Sequence, residues 1–82
     1  MRPLFVMIKC DLGQAYKVAE AMVDEIAETS EVHSISGQYD LLVKFYLDED
    51  IDIGHFVCDR VQKVGGIKDT FTMQAFKVFT GD

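Results

Sequence analysis

The chain has 82 residues, which is the size of one domain (1–82), and a domain this small buries only about 60% of its unfolded surface. Its 8 Lys and Arg against 14 Asp and Glu give a net charge of −6 without a basic cluster, which argues against direct nucleic-acid binding. No apolar run approaches the roughly 20 residues of a membrane span. Cys10 and Cys58 form no disulfide or metal pattern. We therefore expect a cytosolic protein with reduced thiols and no cofactor, stabilised by oligomerisation.

The first half of the chain predicts a central strand and then a helix. Residues 3–10 are apolar on both faces, as in a strand covered on two sides. From Gln14 to about Glu28, apolar residues recur at helical spacing, which predicts an amphipathic helix. Asp11 and Gly13 are expected at its entry, since an Asp side chain can accept from free backbone N–H groups there.

The second half predicts two further strands, a helix and a last strand. Val32–Ser36 is polar and short, which is typical of an edge strand, whereas Leu41–Leu47 is strongly apolar. A helix is expected from Ile53, capped by Asp50 or Asp52 and closed by Gly65–Gly66. The last strand is predicted from about Ile67 to Phe79.

This order of elements, βαββαβ, predicts an α+β ferredoxin-like fold with two layers. Two helices would cover one face of a four-stranded antiparallel sheet. The strong strands carry large apolar side chains on both faces, so the second face also needs a cover. Two such sheets packed face to face would provide it, as a symmetric dimer that forms an α/β barrel.

Two short stretches are candidates for a binding site. Gly37 suits a turn that needs positive φ, and the lack of a Cβ leaves the nearby backbone N–H groups open to a carboxylate. Asp40 is either a turn former or an acceptor for a ligand ammonium group. Thr70 and Thr72 share a strand face, where they serve either strand propensity or a polar ligand.

Three stretches, "SEVHSISGQYDLLVKF", "VQKVGGIKDTFT" and "MQAFKVF", together resemble the effector-binding domain of the Lrp/AsnC family. The resemblance covers essentially the whole chain. It implies dimers that assemble further, commonly into octameric rings, and an amino-acid site between dimers. Carried onto this sequence, the family pattern marks the following candidate ligand-binding residues: Gly37, Gln38, Tyr39, Asp40, Thr70 and Thr72.

One departure from the family concerns DNA. Full-length members carry an N-terminal helix-turn-helix, whereas this sequence opens on its first strand, so it resembles a stand-alone effector domain. We expect a non-enzymatic amino-acid sensor, with co-assembly with full-length regulators as a further role. Two alternatives stay open. One is a small barrel enzyme of the monooxygenase type, for which the central strands offer only Lys9, Lys44 and Tyr46 as polar groups. The other is a structural adaptor without a ligand.

Overall fold

The structure is a computed structural model that describes residues 1–81, and residue 82 of the predicted single domain lies outside them. In chain order its elements are β1 (Arg2–Cys10), α1 (Ala15–Glu25), β2 (Thr29–Ser34), β3 (Leu41–Leu47), α2 (Ile53–Phe56), a π-helical segment (Val57–Val61) and β4 (Ile67–Gln74). The strands form one antiparallel sheet in the order β2-β3-β1-β4. The predicted α+β ferredoxin-like fold is confirmed.

The core lies between the helices and one face of the sheet. Alternate residues of the two central strands are buried, and they are Leu4, Val6, Ile8 and Cys10 in β1 and Leu41, Val43, Phe45 and Leu47 in β3. The helical side contributes the buried residues Val18, Met22, Phe56 and Val61. Each such side chain stabilises the fold by about 1.5–3 kcal/mol when fully buried. The prediction that β1 is a central strand is confirmed.

Helix α1 is shorter than predicted, and strand β2 begins earlier. Ile26 has extended backbone angles, and the Thr29 hydroxyl donates to the Met22 carbonyl at 2.9 Å, which closes the helix. Strand β2 therefore starts at Thr29 rather than at Val32. The expected side-chain cap at Asp11 was wrong, because the helix start has no side-chain cap and Asp11 accepts from Gln14 N–H through its backbone carbonyl.

The second helical stretch begins as predicted and then changes its hydrogen-bond pattern. Asp52 caps α2 by accepting from the backbone N–H of His55 at 2.9 Å. After Phe56 the helix widens, and the N–H of Gln62 donates to the carbonyl of Val57, five residues earlier, at 2.8 Å. The expected closure of the helix by Gly65–Gly66 was wrong, because the helical segment ends at Val61 with Gln62 as its C-cap, and Gly66, whose φ is +94°, lies in the turn before β4.

Strand β4 ends at Gln74, five residues before the predicted end at Phe79. Gln74 pairs with Leu4 of β1, and the next residue of β1 is Pro3, which has no N–H to donate to a further ladder bond. Residues 75–81 therefore have no strand partner within the described chain, and we call them the tail. No helix in residues 1–81 is long and apolar enough to cross a membrane.

The face of the sheet that points away from the helices is only partly covered within residues 1–81, by the tail. We call it the open face, and it carries Phe5, Met7, Leu42, Lys44, Tyr46, Phe71 and Met73. Phe71 is 49% exposed, and in the tail Phe76 is fully exposed. The sequence expectation of large side chains on both faces of the central strands is confirmed for the protomer.

Candidate functional site

The connection between β2 and β3, residues 35–40, is fixed at both of its ends. We call it the site loop. The N–H of Ile35 donates to the carbonyl of Asp40 at 2.9 Å, and the N–H of Asp40 donates to the carbonyl of Ile8 in β1 at 2.9 Å. Gly37 has a φ of +113°, which confirms the expected positive φ at that position. The loop is thus tied to the end of β1 as well as to its own strands.

The carboxylate of Asp40 is part of this tie. Its Oδ2 accepts from the backbone N–H of Cys10 at 2.7 Å, a short charge-assisted bond at the point where β1 leaves its pairing with β3. Within residues 1–81 no protein donor bonds to the other oxygen, Oδ1. The side chain of Asp40 thus holds the end of β1 rather than the backbone of its own turn, and one carboxylate oxygen is left for a further partner.

Next to this bond, the thiol of Cys10 stays protonated at neutral pH. Burial raises the pKa of Cys10 above its usual range, and the carboxylates of Asp40 and Asp11 raise it further, because a thiolate between two anions is unfavourable. A reactive cysteine requires the opposite surroundings, a positive charge that stabilises the thiolate. This end of the sheet therefore does not provide a cysteine nucleophile.

The site loop, the end of β1 and the start of α1 enclose a hollow of about 530 Å³ that we call the loop cavity. Its lining comprises Lys9, Cys10, Asp11, Leu12, Gly13, Ala15, Gly37, Gln38, Asp40 and Lys68. Two ammonium groups and two carboxylates thus border one hollow. None of these four groups forms an ion pair with another side chain of residues 1–81.

Three of the six predicted ligand-binding residues line the loop cavity, and the other three do not. Gly37, Gln38 and Asp40 line the loop cavity. Tyr39 turns the other way and packs on Phe71, with the ring centroids 6.2 Å apart.

The two threonines do not line the loop cavity either. They share a face of β4, as predicted, and they lie opposite Ile8 and Val6, on the helix side of the sheet. The hydroxyl of Thr70 accepts from Nε2 of Gln62 at 2.8 Å. Within one protomer, these threonines and the site loop do not form a single site.

Sequence analysis did not assign Asp11, Leu12 and Lys68 to the site, and it considered Lys9 only for an enzyme. The predicted strand order could have placed Asp11 and Leu12 near the site. In the predicted fold β1 and β3 are antiparallel neighbours, so the end of β1 and the start of β3 lie at the same end of the sheet. The connection after Cys10 therefore had to lie beside Asp40.

A second hollow of about 530 Å³ lies between the tail and the open face. Lys44 and Lys77 both line it, and Nζ of Lys44 is 4.9 Å from the ring centre of Tyr46 and 3.9 Å from Oε2 of Glu31. The pKa of Lys44 is raised, chiefly by its interaction with Tyr46, so this ammonium group remains charged.

No group of three or more His, Cys, Asp or Glu side chains is arranged to hold a metal ion anywhere in residues 1–81. The loop cavity is therefore the described site that combines charged groups of both signs with open backbone. Such an arrangement can bind a small molecule that itself carries both charges.

The chain is similar to proteins named as transcriptional regulators. It is 32% identical over 74 residues to the HTH-type transcriptional regulator FL11 of Pyrococcus furiosus, a match that covers 90% of this chain and 48% of that protein. An uncharacterized HTH-type transcriptional regulator of Pyrococcus abyssi is 30% identical over 74 residues, with 88% of this chain and 49% of the relative covered. The chain thus spans about half the length of the curated relatives it matches.

Solved structures share the fold. FFRP-DM1 superposes with a TM-score of 0.83 at 29% identity, covering 93% of this chain and 100% of that one. A transcriptional regulator of Neisseria meningitidis, crystallised as a complex with L-Met, superposes with a TM-score of 0.78 at 21% identity, covering 98% of this chain and 53% of that one.

The family described as the Lrp/AsnC ligand binding domain matches residues 4–81, which include both helices, the loop cavity, β2, β3, β4 and all of β1 except Arg2 and Pro3. The chain therefore belongs to the Lrp/AsnC family.

Proposed function

We propose that this chain is a non-enzymatic regulatory domain that binds an amino acid in the loop cavity. The observation that carries the proposal is that two carboxylates and two ammonium groups border the same hollow. A free amino acid carries one charge of each sign on neighbouring atoms, so it matches such a border better than a neutral or singly charged molecule does. The similar Neisseria meningitidis regulator, which was crystallised with L-Met, supports this ligand class.

In this proposal two of the four charged groups, those of Asp40 and Lys68, contact the ligand. Oδ1 of Asp40 accepts from the ammonium group of the ligand, while Oδ2 keeps its bond to Cys10. The carboxylate of the ligand lies against the ammonium group of Lys68 and the open backbone beside Gly37. Gln38 borders the side chain of the ligand.

The proposal includes assembly of the chain. The open face is largely apolar and only partly covered within the described protomer, and a second copy packed on it forms the two-sheet barrel. Tyr39, Thr70 and Thr72 do not line the loop cavity of their own protomer, so we include them as ligand contacts supplied from an adjoining subunit. Co-assembly with full-length family regulators, in a cytosolic setting that suits two free thiols, is the corresponding regulatory role.

Enzymatic chemistry receives no support from the described groups. The Cys10 thiol is held in its protonated form, and the ammonium group of Lys44 is held charged, so neither is prepared to act as a nucleophile or base. The names of the similar proteins are also those of transcriptional regulators.

The experiment is a thermal-shift screen of the intact chain against the twenty amino acids at millimolar concentration. A ligand that binds only the folded state adds about 2.7 kcal/mol of stability at 100 times its Kd, so a true effector raises Tm clearly. No shift with any amino acid contradicts the proposed ligand class. A monodisperse monomer in light scattering contradicts the proposed assembly.

The decisive variant is Asp40→Asn rather than Asp40→Ala. An asparagine oxygen still accepts from Cys10 N–H, whereas the charge that the ligand ammonium group needs is gone. We expect the shift to disappear while the Tm without ligand stays close to that of the wild type. Asp50→Asn, which removes the same charge in the exposed loop before α2, is the matched control and keeps the shift. If Asp40→Asn binds as well as the control does, the role given to Asp40 is wrong.

A further inference from the structure

The hollow between the tail and the open face is separate from the loop cavity, and we call it the tail hollow. The two hollows share no lining residue. Four aromatic rings line the tail hollow, two from the sheet and two from the tail, and they are Phe5, Tyr46, Phe76 and Phe79. Its volume of about 530 Å³ is within the range of pockets that hold small organic molecules. The tail hollow is therefore large enough for a ligand that contains an aromatic ring.

Both charged side chains that line the tail hollow are positive. Lys44 reaches it from β3, where it lies opposite Phe5 of β1, and Lys77 reaches it from the tail. Among residues 1–81, no Asp or Glu side chain is part of this lining. An anion that enters the tail hollow therefore meets two ammonium groups and no carboxylate in its walls.

Glu31 only partly neutralises the charge of Lys44. Its Oε2 lies 3.9 Å from Nζ of Lys44, while its Oε1 lies 2.8 Å from Nε2 of His33. Lys77 forms no ion pair within residues 1–81, and its Nζ lies 5.1 Å from the ring centre of Phe79. Two ammonium groups beside one shared carboxylate leave an excess of positive charge, which a ligand with a single negative charge would balance.

We propose that the tail hollow binds an aromatic carboxylate. The carboxylate of the ligand lies against the ammonium groups of Lys44 and Lys77, in charge-assisted contacts. Its ring packs between the aromatic side chains of the sheet and those of the tail, which adds to the energy of apolar burial. A free amino acid does not suit this site, because its ammonium group would meet two groups of the same charge. The tail hollow thus takes a different class of ligand from the loop cavity and does not depend on it.

An aromatic carboxylate also fits the assembly proposed for the open face. A second copy packed on that face would take Lys44 out of contact with water, and a buried charge is unfavourable without a counter-charge. Glu31 supplies that counter-charge only in part, since it is shared with His33. A bound carboxylate supplies the rest, so the ligand and the second copy stabilise each other. This link rests on the proposed assembly, whereas the binding site itself does not.

The test is isothermal titration calorimetry of the full chain with hydrocinnamate, a phenyl ring joined to a carboxylate by a short methylene chain. We expect saturable binding. Hydrocinnamide, which lacks the charge, should bind about tenfold or more weakly, because a contact to a charged group is lost. The cyclohexyl analogue, which lacks the aromatic ring, should bind about threefold or more weakly. L-phenylalanine is hydrocinnamate with an added ammonium group, and it should also bind about tenfold or more weakly when it is titrated into Asp40→Asn, whose loop cavity has lost the ammonium acceptor.

Three lysine variants locate the site. Lys44→Met and Lys77→Met keep a long apolar side chain and remove one charge, so each should weaken hydrocinnamate binding by about tenfold or more. Lys63→Met removes the same charge at an exposed position that lines neither hollow, and it should bind as the wild type does. Lys77 lies in the tail, outside the sheet, so its loss does not disturb the fold.

Glu31→Gln should act in the opposite direction. It removes the carboxylate that competes with the ligand for Lys44, so hydrocinnamate should bind about threefold more tightly. A gain in affinity cannot come from a variant that fails to fold. The inference is overturned if hydrocinnamate does not bind at millimolar concentration, as expected if a second copy fills the tail hollow. It is also overturned if hydrocinnamide or the cyclohexyl analogue binds equally well, or if Lys44→Met and Lys77→Met match Lys63→Met.

Asp40→Asn separates this inference from the proposed function. Asp40 does not line the tail hollow, so this variant should bind hydrocinnamate as the wild type does even though it loses the thermal shift with the amino acid. Hydrocinnamate binding without a thermal shift from any amino acid supports the tail hollow and refutes the ligand of the loop cavity. An amino-acid shift without hydrocinnamate binding has the reverse meaning.

Discussion

Asp40 has a measurable structural role that can be separated from any role in binding. The N–H of Cys10, a residue only 6% exposed, has Oδ2 of Asp40 as its acceptor at 2.7 Å. In Asp40→Ala this N–H loses its partner, which costs about 1–3 kcal/mol for a buried donor. Asp40→Asn retains an oxygen at the same place, so its free energy of unfolding should lie much closer to that of the wild type.

The assay is urea unfolding followed by circular dichroism, at one protein concentration for all variants because oligomers unfold in a concentration-dependent way. For a domain of this size each kcal/mol also corresponds to about 4–8 °C in Tm, which gives an independent reading. Asp50→Ala, in the exposed loop before α2, is the control and should change stability by less than about 0.5 kcal/mol. The reasoning fails if Asp40→Ala is no more destabilising than Asp50→Ala, or if Asp40→Asn is as destabilising as Asp40→Ala.

Two further predictions concern the scaffold. Gly66→Ala should lower the free energy of unfolding by more than about 1 kcal/mol, because φ is +94° and a Cβ would lie 3.0 Å from Cγ2 of Val18. Gly65→Ala is the control and should be nearly neutral, since a Cβ there meets open space. Thermal unfolding of the two variants measures the difference. Glu28 accepts from Arg60 at 2.8 Å, and this hydrogen bond lowers the pKa of Glu28 below its ordinary 4.5. Because the pKa of Glu28 is lower in the folded state than in the unfolded state, its ionised carboxylate stabilises the fold above pH 4.5. This stabilisation is lost as the pH falls below 4.5 and through the lowered pKa. Arg60→Gln should therefore reduce stability at pH 7 by less than about 1 kcal/mol, with the difference shrinking below pH 4.5, and a constant difference would contradict the pairing.

Residue periodicity was enough to predict the order of the elements and the central position of β1, but not which face of β1 points inward, because both of its faces are apolar. Alternation in β1 and β3 reflects burial against the helices, and burial dominates the choice of residue at those positions. The element ends were harder to predict, because they depend on single contacts. The hydroxyl of Thr29 ends α1 by donating to the carbonyl of Met22. The residue type of Thr29 alone does not predict that it bonds this carbonyl.

Only the residues of the candidate site that lie in the turn were predicted, because the others depend on contacts between distant parts of the chain. Gly37 and Asp40 were found because turn geometry restricts the residues that can occupy such positions. Lys68 was missed because it reaches the loop cavity from the start of β4, far from the loop in sequence. The direction of Tyr39 depends on its packing with Phe71, which requires the three-dimensional structure.

The tail provides the most informative difference between pattern and protomer. Its residues Phe76, Val78 and Phe79 are 100%, 81% and 83% exposed, although the sequence there is as apolar as a buried strand. Three large apolar side chains exposed so close together are unfavourable in water unless another surface covers them. The tail lies beside the open face, whose own apolar residues pose the same problem. A partner placed over both surfaces would remove these side chains from water. The apolar sequence of the tail, which predicted a strand up to Phe79, is therefore consistent with the proposed assembly, in which a second copy supplies that cover.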